Sequence, residues 1–210
     1  MLPIGDVGVP RRTFPFFTYG LIAVNAMVFL YELQLGNPFI GRWAFIPSRF
    51  AADPARYWIT IFTSLFFHAS WLHLGGNMLY LWIFGDNVED RFGHFSYLVF
   101  FFLCGLAATL TQFAFETGSN VPNLGASGAI AGVLGAYFLM FPRAKVDVLL
   151  ILFVIEVPAL LLIGLWFVLQ LLSGIGSIYS AAQAGGVAYM AHVGGFVGGI
   201  ALTFFFRRRR

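Results

Sequence analysis

Six apolar runs, near residues 16–35, 71–85, 95–115, 126–141, 158–173 and 188–206, occupy most of this sequence. Each approaches the roughly 20 residues that a helix needs to cross about 30 Å of hydrocarbon. In lipid every backbone N–H and C=O must be paired inside the segment, which makes helices the spanning element for runs of this kind. The rest of the chain cannot coat a soluble globule, since 60% of the 210 residues are hydrophobic and only 10% are charged. An all-α polytopic membrane protein with six spans follows, as one domain over residues 1–210 with a short N-terminus, 1–13, and a basic end, 207–210. Arg11 and Arg12 precede the first run, but no apolar stretch closes on a small-residue cleavage site, so the first span reads as retained. Cys104, the one cysteine, sits beside Phe100, Phe101 and Phe102 and reads as a packed, inert thiol.

The fifth span is best begun at Pro158. Begun at Val148, it would carry Glu156 near its middle, at roughly 2.5–3.5 kcal/mol for the carboxylate. Begun at Pro158, it places proline in the first turn, where a missing N–H is harmless, and Glu156 beside the positive end of the helix dipole. Residues 146–157 then form an apolar connector at the interface. With this count Arg11, Arg12, Arg91, Arg143, Lys145, Arg207, Arg208, Arg209 and Arg210 share one side, nine of the 12 basic residues. That side is cytoplasmic by the positive-inside rule, both termini with it, and the expected setting is the cytoplasmic (inner) membrane of a prokaryotic cell. The four closing arginines read as a topology anchor, not as a nucleic-acid site. Arg42, Arg49 and Arg56 fall opposite, in a long first loop with Trp43 and Trp58 that reads as an amphipathic element on the outer leaflet. Glu89 and Arg91 end the second span at the cytoplasmic interface, and His94 follows them as a solvated side chain.

Polar residues inside the spans carry the functional information, because an unpaired polar group in hydrocarbon costs several kcal/mol, roughly. Ser127, in Gly125-Ala126-Ser127-Gly128, opens the fourth run. From Ser127 to Phe141 a helix reaches only about 22 Å, so one end stops inside the membrane. Pro142, Arg143 and Lys145 hold the other end at the cytoplasmic face, which leaves Ser127 buried a few ångströms below the outer surface, at a helix N-terminus whose free N–H groups favour an oxyanion. His192, in Ala191-His192-Val193-Gly194-Gly195, lies at a matching depth on the last span. Gly128, Gly132 and Gly135 on one helix and Gly194, Gly195, Gly198 and Gly199 on the other allow close approach. His73 and Asn77, four residues apart on one helix face, can donate to an oxyanion. A metal site on His68, His73 and His192 is the weaker alternative, because no cysteine or carboxylate joins them and Ser127 would be left without a role. Taken singly, each motif is more often helix packing; four such groups at one depth favour a serine hydrolase with a Ser127–His192 dyad and no cofactor.

These residues resemble the rhomboid intramembrane serine proteases, from the first span to the last. The resemblance rests on Gly125-Ala126-Ser127-Gly128, on His73 and Asn77, and on Ala191-His192 with Gly194, Gly195, Gly198 and Gly199; Phe67-His68 and the Glu89 segment support it. It implies a rhomboid-like six-helix bundle with a short central serine-bearing helix, Ser127 as nucleophile, His192 as base, and His73 with Asn77 as oxyanion helpers. The implied partners are transmembrane protein substrates within the lipid bilayer, cut near the outer face. Two departures stand out. Trp58 is followed by Ile59 where the family's first loop often has Trp-Arg, and Ala131 stands where some members stack an aromatic ring on the histidine. The main alternative is a non-catalytic rhomboid-like protein that binds membrane helices for trafficking or quality control. A transporter fits less well, since the polar residues gather at one level instead of lining a path.

Overall fold

The computed structural model describes residues 2–179 and 187–207, so Arg208, Arg209 and Arg210 of the basic end lie outside the described residues. Six long helices run alternately up and down: α1, Phe16–Leu35; α2, Trp71–Phe92; α3, His94–Phe115; α4, Ser127–Met140; α5, Ala159–Tyr179; and α6, Tyr189–Phe206. Four of them, α1, α3, α5 and α6, are long and apolar enough to cross a membrane. α2 has the length, but its last turns carry Asp86, Glu89, Asp90 and Arg91. α4 is apolar but has only 14 residues, about 21 Å of rise.

The shortness of α4 puts it at the centre. Every residue from Gly128 to Tyr137 is buried, enclosed by α2, α3, α5 and α6. Small residues make this possible. A Cβ on Gly195 of α6 would fall on the Gly128 carbonyl oxygen, and one on Gly199 on the Gly132 carbonyl. A Cβ on Gly132 would in turn overlap Cys104 of α3, a buried free thiol. With no hydrophobic force between helices in lipid, such backbone-to-backbone approach is what supplies dispersion contact. Towards the basic end Phe84, Phe92, Phe100 and Tyr137, all without exposed surface, fill the wider gaps, with Phe84 edge-on to Tyr137 at 5.0 Å and Phe92 edge-on to Phe100 at 4.9 Å.

Several local expectations change. The second span runs on past residue 85 to Phe92 because Glu89 finds hydrogen-bond partners inside the bundle. Its carboxylate accepts from the backbone N–H of Phe17 (3.0 Å) and of Thr18 (2.7 Å) and from the Thr18 hydroxyl (2.7 Å), all at the N-terminus of α1. His94 is not merely solvated, for its Nδ1 lies 2.6 Å from the same carboxylate. Residues 146–157 are not a loose connector. They belong to a hairpin, β2 (Lys145–Leu150) and β3 (Phe153–Pro158), that pairs antiparallel with an N-terminal strand, β1 (Leu2–Val7), in the order β1-β2-β3. Val146 and Val148 alternate with Lys145 and Asp147 and turn fully inward, giving the strand a reason to form. Glu156 pairs with Lys145 across the hairpin at 2.7 Å, so it is not a cap on α5. Asp6 ties β1 to the helices by accepting from Asn87 Nδ2 and from the Tyr137 hydroxyl, both at 2.7 Å. Burial pushes this carboxyl up to about 6.

At the opposite end the first loop folds into short helices, Asn37–Trp43, Pro47–Ala52, Pro54–Tyr57 and Thr60–Thr63. Without a Trp58-Arg pair, the loop is closed by Arg49, which donates to the Gly41 carbonyl (2.6 Å), and by Thr63, whose hydroxyl donates to the Trp43 carbonyl (2.6 Å).

Candidate active site

Ser127 is the first residue of α4, and the chain reaches it through an irregular segment stitched to the first loop. Ser48 N donates to the Ser119 carbonyl at 3.0 Å, Asn123 N to Phe45 at 2.8 Å, and Gly125 N to Ser64 at 3.0 Å. These bonds satisfy a backbone that enters the bundle without being helical. Gly125 has φ +117°, in the left-handed region, and a Cβ there would lie 2.9 Å from the His73 ring. Only glycine meets both conditions.

His192, in the second turn of α6, is buried, and its Nε2 lies 2.8 Å from Ser127 Oγ. The depth of α6 against α3 is fixed by Gln112, whose side-chain oxygen accepts from Ala191 N at 3.0 Å. His73 and Asn77, on the first turns of α2, face the same space. Asn77 Nδ2 is 2.9 Å from His68 Nε2. Burial, and after it the neighbouring His73, lower His68 to about 4, so its ring is neutral and Nε2 accepts from Asn77. The His68 backbone N–H donates in turn to the buried Glu32 carboxylate of α1 at 3.0 Å. His73 Nδ1 accepts from Ala69 N at 3.4 Å, which leaves the His73 proton on Nε2, the atom facing Gly125. One cavity of about 240 Å³ is bordered by Ser127, His192, His73, Asn77, Ala131 and Trp166. All four residues singled out in the sequence thus border a single space, two as a hydrogen-bonded pair and two as potential donors across from it.

Three further side chains escaped the sequence reading. His192 Nδ1 lies 2.7 Å from Gln170 Oε1 of α5. Both ring nitrogens of His192 are therefore in hydrogen-bond contact with protein partners. The Trp166 ring, one turn before Gln170, lies 5.9 Å from the imidazole and is tilted by 35° to it. Glu32 holds the His68 loop. Gln170 carried a signal of its own as a lone amide in an otherwise apolar stretch of α5, and Glu32 as a carboxylate near the end of α1.

The segment that carries this serine–histidine crossing is similar in sequence to known proteins. Residues 55–209 match the sequence model of the Rhomboid domain, and the chain belongs to the rhomboid family. It is 30% identical over 187 residues to "Rhomboid protein 1, mitochondrial" of Saccharomyces cerevisiae, covering 87% of this chain and 51% of that one. It is 33% identical over 194 residues to "RHOMBOID-like protein 12, mitochondrial" of Arabidopsis thaliana, covering 82% and 55%. It is 34% identical over 124 residues to "Rhomboid protease GluP" of Bacillus subtilis, covering 58% and 24%. The chain spans about half the length, or less, of these curated relatives.

Proposed function

We propose that this protein is an intramembrane serine endopeptidase that hydrolyses peptide bonds in or near the transmembrane segments of other membrane proteins. The observation that carries the proposal is the 2.8 Å contact between Ser127 Oγ and His192 Nε2 at the wall of a cavity. Serine is a weak nucleophile until a neighbouring base takes its proton. In the proposed step Ser127 Oγ attacks the substrate carbonyl carbon while its proton passes to His192 Nε2. The oxyanion formed is met by Asn77 Nδ2–H, His73 Nε2–H and the N–H of Ser127 at the positive end of α4. His192 then gives its proton to the departing amine, and water, activated by the same imidazole, releases the acyl group.

The cavity lies at the end of the bundle opposite Arg11, Arg91, Arg143 and Lys145, so the active centre is proposed to open to the non-cytoplasmic side. Two of the relatives are named for mitochondria and one comes from a bacterium; a prokaryotic inner membrane is the proposed setting. Cleavage of a transmembrane test substrate in liposomes is the experiment. Wild type should cut it and Ser127→Ala should not, with the folded bundle retained. Equal cleavage by Ser127→Ala would remove the serine mechanism, and a wild type that binds the substrate uncut would favour the non-catalytic, helix-binding alternative.

A further inference from the structure

We infer that Gln170 is the positioning residue of the dyad, a neutral third member that fixes which nitrogen of His192 carries the proton, with Trp166 holding the ring plane. This deepens, and rests on, the assignment of Ser127 and His192 as nucleophile and base. A neutral imidazole has two tautomers, and only the one protonated on Nδ1 presents a lone pair on Nε2 to the serine hydroxyl. Gln170 Oε1, 2.7 Å from Nδ1, is an acceptor and cannot donate. It therefore selects the Nδ1–H form, and the lone pair of Nε2 is left facing Ser127 Oγ at 2.8 Å. In the other tautomer Nε2–H would point at the hydroxyl and no proton could leave it.

The placement explains why an amide serves here. A carboxylate in the same position would face the hydrocarbon level of α5, where Val168 and Leu169 are exposed on the bundle surface and where a charge is costly. An amide oxygen supplies the acceptor without the charge. It fixes the tautomer and does less than a carboxylate to stabilise imidazolium, which makes Gln170 an orienter first. Trp166 and Gln170 are four apart and share one face of α5. The helix thus presents both a ring and an acceptor to His192.

The test uses the full-length protein in detergent, labelled with ¹⁵N-histidine, with the His192 ring signals identified by their loss in His192→Asn. The wild type should show neutral His192 protonated on Nδ1. Gln170→Leu, an apolar replacement of similar size, should show a mixture of tautomers. Its rate of acylation by a fluorophosphonate should fall roughly 10- to 100-fold, and kcat on the transmembrane substrate should fall with KM unchanged. Gln170→Glu, whose protonated acid keeps a carbonyl acceptor without the charge, should recover part of the acylation rate. A wild type protonated on Nε2, or a Gln170→Leu protein acylated as fast as wild type, would overturn the assignment. Failure of the wild type itself to react with the probe would count against the hydrolase, and the tautomer measurement, which needs no turnover, decides the role of Gln170 in that case as well.

Discussion

Gly195→Ala should abolish the proposed peptidase activity without touching either member of the proposed dyad. The added Cβ would fall on the Gly128 carbonyl oxygen, one residue beyond Ser127. Neither partner is a flexible side-chain end, so α6 and α4 must separate by about 1 Å even to reach the 3.0 Å below which real Cβ atoms are essentially never found. The Ser127–His192 bond spans the same crossing. Stretched from 2.8 Å to about 3.8 Å, it would no longer be a hydrogen bond. Overpacking of this kind costs about 1–3 kcal/mol of stability, and misplacing a base by about 1 Å costs about 10²-fold in rate. Gly20→Ala is the control, since nothing lies within 4 Å of a Cβ there and alanine favours the helix by about 0.5–1 kcal/mol. Cleavage in liposomes gives kcat, and thermal unfolding in detergent gives Tm. A Gly195→Ala protein with wild-type kcat and Tm would refute the packing argument, because the two backbones would then not be in the contact that aligns the dyad.

Asn77→Ala should lower kcat by about 10²–10³-fold with a smaller effect on KM if its amide meets the oxyanion; a loss confined to KM would move Asn77 to substrate docking. Glu89→Ala should lower stability by about 2–5 kcal/mol, seen as a large fall in Tm, because the part-buried Phe17 N–H and the buried Thr18 N–H lose their acceptor; an unchanged Tm would show that the end of α1 is held otherwise. Asp6 sets a pH dependence. Its folded-state value, about 6, lies above the ordinary 3.8, so folding favours the protonated acid, and the stabilisation is full below 3.8 and lost as pH rises through 6. Discounted for partial exposure, the effect is about 1–2 kcal/mol. Wild-type Tm should fall as pH is raised across that window and Asp6→Asn should flatten the change, whereas equal slopes for the two would remove Asp6 as the cause.

What was legible in the sequence followed from length and from single-residue chemistry. A serine at the head of a run too short to cross a bilayer is expected inside it, and α4 does end at its fourteenth residue, Met140. The glycines of the fourth and sixth runs read directly as a close crossing. The orienting pair on α5 was not legible, because whether Gln170 and Trp166 face His192 or lipid depends on the rotation of α5 about its axis, and a nearly all-apolar helix offers no periodicity to fix it. Glu89 was misplaced for a related reason. Charge near a span end reads as an interface, and only the approach of the α1 N-terminus, with its free N–H groups, makes burial affordable. β1 gave no signal at all, since Leu2-Pro3-Ile4-Gly5-Asp6-Val7 holds a proline and a glycine and forms a strand only because β2 offers it an edge.

The most direct measurement is intact-mass and peptide mapping of the detergent-solubilised protein after reaction with a fluorophosphonate. The wild type should gain one adduct, on Ser127, while His192→Ala and Ser127→Ala should gain none there. A wild type that cleaves its substrate yet carries no adduct on Ser127, or an adduct that forms equally without His192, would contradict a Ser127–His192 dyad.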